Sequence, residues 1–306
     1  MGGNLIQSSS IAASLEAAFH LPRLPVGIAT TLLAALVMTG GVGRIAAVSS
    51  ALVPAMALLY LGSGGAVLLL HWDRVPHALG LIFSHALSPA AAAWGAAGWT
   101  VSAALRHGVA RGVFTNEAGL GASAMAHGAA RTACPARQGM WGIFEVFVST
   151  LAVCTVTALA VLVSGLPLSP ARLTGAPLTA AAFGSSLGRA GQAVVAVALL
   201  LFAFSSILGW SYYGEQCLFF LSSEKGGKRK NASPVLTLDR SVFLYRFAFL
   251  GCTLLGAVWQ GNSLWQLVDL CSALMALPNL TALLFLAPQA LRDLRRRPAG
   301  RKPAVK

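Results

Sequence analysis

Residues 111–127 read RGVFTNEAGLGASAMAH. An Arg, an Asn, a Glu and four Gly or Ser residues are gathered here in a chain that is 56% hydrophobic. In a water-soluble protein such a stretch is an ordinary loop. This chain holds 22 basic and 9 acidic residues among 306, about 10% charged, where soluble domains carry roughly 25%. So few charges do not cover a soluble surface of this length. The apolar residues also come in runs near the length that spans a bilayer, about 20 residues. They lie at 24–43, 45–70, 138–164, 192–221, 241–260 and 264–288, with a broken span within 90–131 and a short one at 3–19. The fold class expected is an all-α polytopic membrane protein. A β-barrel is excluded, since its strands are about ten residues long with alternating polarity.

Working outward from the quoted stretch, the charges give an orientation. Arg44, Arg131, Arg137, the Lys225–Lys230 cluster, Arg240, Arg246 and the residues from Arg292 onward fall in alternate connections and hold 16 of the 22 basic residues. The positive-inside bias puts that set, and with it the C-terminus, in the cytoplasm. The net charge of +13 then reflects orientation and attraction to anionic lipid, not nucleic acid. The expected division is a transmembrane domain over 1–290 and a basic cytoplasmic tail over 291–306.

The connections carry little chemistry. Residues 71–89 suit an outer-surface loop with a brief interfacial helix at 77–87, and 165–189 suit a Pro- and Ser-rich outer loop. His71, His77 and His85 share no i,i+4 spacing and read as solvated interfacial histidines, not metal ligands. Cys134, Cys154, Cys217, Cys252 and Cys271 form no CxxC pair, so neither zinc nor a disulfide framework is indicated. No metal beyond a transported cation and no organic cofactor is expected.

Polar groups at membrane depth are costly, and irregular backbone is tolerated there only where it lines a cavity or is buried in protein. A broken helix uses this: it bares backbone N–H and C=O groups that bind a substrate and a cation. Arg111, Gly112, Thr115, Asn116, Glu117, Gly119 and Gly121 have the composition such a break needs; the alternative is a plain loop between two short spans. A second polar patch, FAFSSILGWSYYGE at 202–215, sits inside an otherwise oily helix. Ser206 and Trp210 are four apart and share a face. The hydroxyls of Ser205 and Ser206 suit a hard cation such as sodium, and Trp210 supplies an apolar wall. The serines also have the alternative of bonding back to their own helix.

These stretches resemble the alanine or glycine:cation symporter family, the sodium:alanine carriers. The resemblance rests on RGVFTNEAGLGASAMAHGAA at 111–130, with QSSSIA at 7–12, GGVGRIA at 40–46, LVPAMALLY at 52–60, FAFSSILGWSYYGE and MALPNL at 275–280 in the family's order. It implies the leucine-transporter type of fold, two inverted five-helix repeats, and symport of a small neutral amino acid with sodium or a proton. It implies substrate-binding roles for Gln7, Phe114, Ser206 and Trp210, and cation-binding roles for Ser205 and Ser206. Thr115 stands where the family usually has Ser, Ser206 where Thr is common, and Ala122-Ser123-Ala124-Met125 replaces a Ser-Ala-Pro run. The family's first two core helices have no counterpart, so residues 3–19 match a partial third core helix and the chain reads as N-terminally truncated. A non-transporting remnant or one piece of a split carrier is the alternative that follows. A membrane-embedded enzyme is a distant third: Glu117, Glu145, Glu215 and Asp269 offer no carboxylate pair close in sequence.

Overall fold

The computed structural model describes residues 1–87, 108–132, 134–166, 173, 175–225, 240–259, 261 and 263–295, which are helical throughout with short turns and contain no strand. In chain order the helices are α1 (Gly2–Phe19), α2 (Arg23–Met38), α3 (Gly41–Leu70), α4 (Val75–Leu87), α5 (108–115), α6 (Ala122–Gly128), α7 (Pro135–Val163), α8 (Gly175–Lys225), α9 (Arg240–Val258) and α10 (Ser263–Arg295). Five of them, α3, α7, α8, α9 and α10, are long and apolar enough to cross a membrane. Their outer faces present bare hydrocarbon, such as Leu284 and Phe285 of α10 at 78% and 81% exposure, a surface suited to lipid and not to water. The chain is an integral membrane protein.

The helix at the centre is α1. Asn4, Ile11 and Ala12 are fully buried, and the helix packs against α2, α8, α9 and α10. Ile11, Ala12, Met38, Ile207, Leu208, Phe249 and Ala257 make one core, and Leu5 and Ile6 make a smaller one with Leu264 and Val268 of α10. Its C-terminus closes on His20 in the left-handed region (φ 55°), whose N–H returns to Glu16 O. Arg23 Nε donates to the Glu16 carboxylate at 2.6 Å and so fixes the turn into α2.

Two elements differ from the sequence reading. The loop expected over 165–189 contains helix from Gly175, joined to the span at Gly188 (φ 63°, ψ −149°). There the chain folds back on itself. A side chain at Gly191 would overlap the Phe183 carbonyl, so only small residues allow so close an approach. Phe183 is then buried and stacked on Tyr60 of α3, with ring centroids 5.5 Å apart. Hydrophobic burial outweighs the loop-like composition of that stretch. The second difference is in α7, whose residues Phe147–Cys154 form a π-helical segment. The span expected within 90–131 is described only from residue 108, and the tail from 296 lies outside the described residues.

Candidate functional site

Helix α5 stops at Thr115 and α6 starts at Ala122, with a six-residue turn between them. Within that turn Glu117 (φ 49°), Gly119 (φ 73°) and Gly121 (φ 79°) all lie in the left-handed region. Glycine adopts it freely; for Glu117 it costs about 1–3 kcal/mol, which neighbouring structure must offset. The offset comes from α10. Asn279 Nδ2 donates to Gly119 O at 2.9 Å, and a Cβ on Gly121 would meet Asn279 Oδ1 at 2.8 Å. Proline at 278 lies one residue away, in the middle of α10.

The turn is tied on two further sides. Arg111 Nη2 donates to both Asp269 carboxylate oxygens, at 2.7 and 2.5 Å, and its guanidinium lies over the Trp265 ring at 4.2 Å. On the α7 side, Asn116 Oδ1 accepts from Thr150 Oγ1 at 2.7 Å and from Ser149 Oγ at 3.4 Å. Both hydroxyls belong to the π segment. Its wider winding sets successive side chains at a smaller angular step than an α-helix, which lets neighbours reach one oxygen.

Turn and span meet at a cavity of about 840 Å³. Its wall includes Thr115, Asn116 and Glu117 from the turn, Ser205, Ser206, Trp210 and Tyr213 from α8, and Glu145 and Ser149 from α7. Tyr213 stands beside the Glu117 carboxylate. His127 and Glu145 line the same cavity, with His127 Nε2 3.7 Å from Glu145 Oε2 and its Nδ1 3.0 Å from Gln138. The volume is in the range of small-molecule sites, about 300–1,000 Å³. Ser205 and Ser206 both donate to the Phe202 carbonyl, at 2.8 and 3.0 Å. The back-bonding alternative therefore describes their protons, while their oxygen lone pairs stay available to a cation.

The structure brings six of the residues expected from the sequence to one cavity: Thr115, Asn116, Glu117, Ser205, Ser206 and Trp210. Gln7 and Phe114 are not among the residues lining this cavity. Gln7 is half-buried on α1, and Phe114 packs edge-on against Trp265 beside Leu5, Ile6, Leu264 and Val268. Arg111, Gly119 and Gly121 shape the turn, and the Gly112 carbonyl accepts from Asn116 N–H at 3.1 Å. Asn279, Asp269, Thr150 and Tyr213 are not among the site residues that the sequence implies. Asn279 lies in the MALPNL motif and Tyr213 in FAFSSILGWSYYGE, and Asp269 is one of the few acidic residues in an apolar run; Thr150 carries no signal without the fold.

A sequence profile of the sodium:alanine symporter family matches residues 1–303. The chain is 41% identical over 283 residues to an uncharacterized transporter of Haemophilus influenzae, covering 92% of this chain and 59% of that protein. It is 36% identical to the sodium/alanine symporter AgcS of Methanococcus maripaludis, covering 93% of this chain and 59% of that protein. It is 32% identical to a sodium/proton-dependent alanine carrier protein of a Bacillus species, covering 94% and 65% respectively. The chain thus spans about three fifths of the length of these relatives.

Proposed function

This chain belongs to the sodium:alanine symporter family, and we propose on that premise that it serves cation-coupled symport of a small neutral amino acid such as alanine or glycine. The family is one of transporters, not enzymes. The observation that carries the reading is the convergence of a glycine-rich helix break with Ser205, Ser206 and Trp210 on one cavity. In this reading Trp210 walls the amino-acid side chain and Ser206 meets its polar end. Ser205 and Ser206 supply oxygen ligands to sodium, the coupling cation. Baring backbone at a break gives the amino acid's carboxylate N–H donors without burying a fixed charge. Gln7 and Phe114, off this wall, complete the site from α1 and the end of α5. The same reading holds that the helices follow the leucine-transporter type of inverted repeat. It places the C-terminal tail in the cytoplasm, with residues 1–290 as the membrane domain.

The test is binding and uptake of labelled alanine by vesicles carrying this chain, with and without a sodium gradient. Sodium-dependent binding supports the reading. Binding and uptake both indifferent to sodium and to protons would remove it.

A further inference from the structure

We infer that Gly3 of α1 is a specificity-determining residue, which sets the size of the amino-acid pocket by fixing where the Trp210 indole stands. The inference rests on the reading of this cavity as the amino-acid site. A Cβ built on Gly3 would lie 2.8 Å from Trp210 Cε2, 2.9 Å from Nε1 and 3.1 Å from Cδ2. Carbon atoms at rest stand about 3.5–4.0 Å apart, so a methyl group here forces a displacement. Two of the three atoms form the bond shared by the indole's rings. The methyl therefore meets the middle of the ring face, and swinging the ring's tip aside does not clear it.

Helix α1 is poorly placed to yield. Gly3 is buried, and the next residue, Asn4, donates through Nδ2 to Phe249 O at 2.9 Å and to Thr253 Oγ1 at 3.0 Å. A Cβ on Gly256 would overlap the Leu5 backbone, so α1 and α9 already touch main chain to main chain. The Trp210 backbone is held as well, since Tyr245 Oη donates to Trp210 O at 3.3 Å. The Tyr213 ring stands edge-on to the indole at 5.7 Å and lines the same cavity. The side left open is the cavity, which Trp210 lines with Ser205 and Ser206. A methyl group at position 3 drives the indole into that space, and the pocket loses room for about one carbon of substrate side chain.

Gly3→Ala should therefore favour glycine over alanine. One methylene in an apolar pocket is worth about 10- to 200-fold, so a shift of about tenfold in the ratio of dissociation constants is expected. The experiment measures equilibrium binding of labelled glycine and alanine, in sodium, to the wild type, G3A, W210F and G3A/W210F. Alongside it, 19F spectra of the 5-fluorotryptophan-labelled chain follow Trp210, one of 7 tryptophans, whose resonance is assigned by its loss in W210F. The expected result is a Trp210 resonance displaced in G3A without ligand, a ratio moved about tenfold toward glycine, and recovery of the wild-type ratio in G3A/W210F. An unmoved ratio in G3A, an unmoved resonance, or no recovery in the double variant overturns the inference. If G3A does not fold, G3A/W210F decides alone: its ratio must shift toward glycine relative to W210F. A wild type that binds neither amino acid overturns the substrate reading and this inference together. That outcome is distinct from wild-type binding with an unchanged ratio, which overturns the inference alone.

Discussion

In the proposed reading Trp210 and Ser205 serve two tasks from the same helix, and each can be removed separately. Trp210→Ala opens the apolar wall, so larger amino acids should compete better for labelled alanine uptake. The loosening should not exceed about 10- to 200-fold, the worth of a methylene or so in such a pocket. Competition by larger amino acids unchanged from wild type counts against Trp210 as the wall. On the same reading, Ser205→Ala removes one oxygen from a cation that needs several. The sodium concentration for half-maximal uptake should rise while the rate at saturating sodium changes less. Because Ser205 and Ser206 share the Phe202 carbonyl as acceptor, the alanine variant leaves that carbonyl still bonded by Ser206. The effect on sodium is then not explained by a disturbed helix, and a sodium dependence identical to wild type would sink the assignment.

The elements depend on a few cross-links between distant segments. Asn279 on α10 holds the turn between α5 and α6 through the Gly119 carbonyl, 160 residues away. Asn279→Ala leaves that carbonyl without its partner. The loss should be about 1–3 kcal/mol, read as a lowered thermal midpoint in detergent and as faster backbone hydrogen exchange over 116–121. A midpoint within error of wild type would show that the turn is held by Arg111 and Asn116 alone. A second link joins α8 to α9, where Arg246 donates to both Glu215 oxygens at 2.6 and 3.0 Å and the Glu215 side chain is only 9% exposed. Glu215→Ala strands a half-buried guanidinium and should cost about 3 kcal/mol. Replacing Arg246 by Met in the same chain should recover much of that loss, since the stranded charge is then gone. No recovery would mean that the pair acts through packing instead.

For the whole molecule, the lipid-facing surface and the charge distribution make separate predictions. Helices such as α10, with leucines exposed along its length, should keep the chain in the membrane pellet after alkaline carbonate extraction. Orientation rests on the alternation of basic connections and is tested by reporters fused after Lys306. A fluorescent protein that folds in the cytoplasm should light up there, and a phosphatase that is active outside should stay silent. The reverse pattern would overturn the assigned topology.

Composition and hydropathy alone determined that this chain is a bundle of membrane helices, because a bilayer demands long apolar runs and every such run is local in sequence. The same local logic exposed the two places that break the rule, 111–127 and 202–215, and the motifs there identified the family. What the sequence left open is who stands behind those residues. Asp269 for Arg111, Asn279 for Gly119, Thr150 for Asn116 and Gly3 for Trp210 are partners 34 to 207 residues apart, joined by no periodicity or spacing. The helix at Gly175 was hidden for a related reason. Its Pro- and Ser-rich surroundings read as loop until Phe183 finds Tyr60, a contact made 123 residues away. Only the tertiary structure decided these, since side-chain partnerships across a bundle depend on which helix faces meet, and the bilayer rewards every apolar face alike.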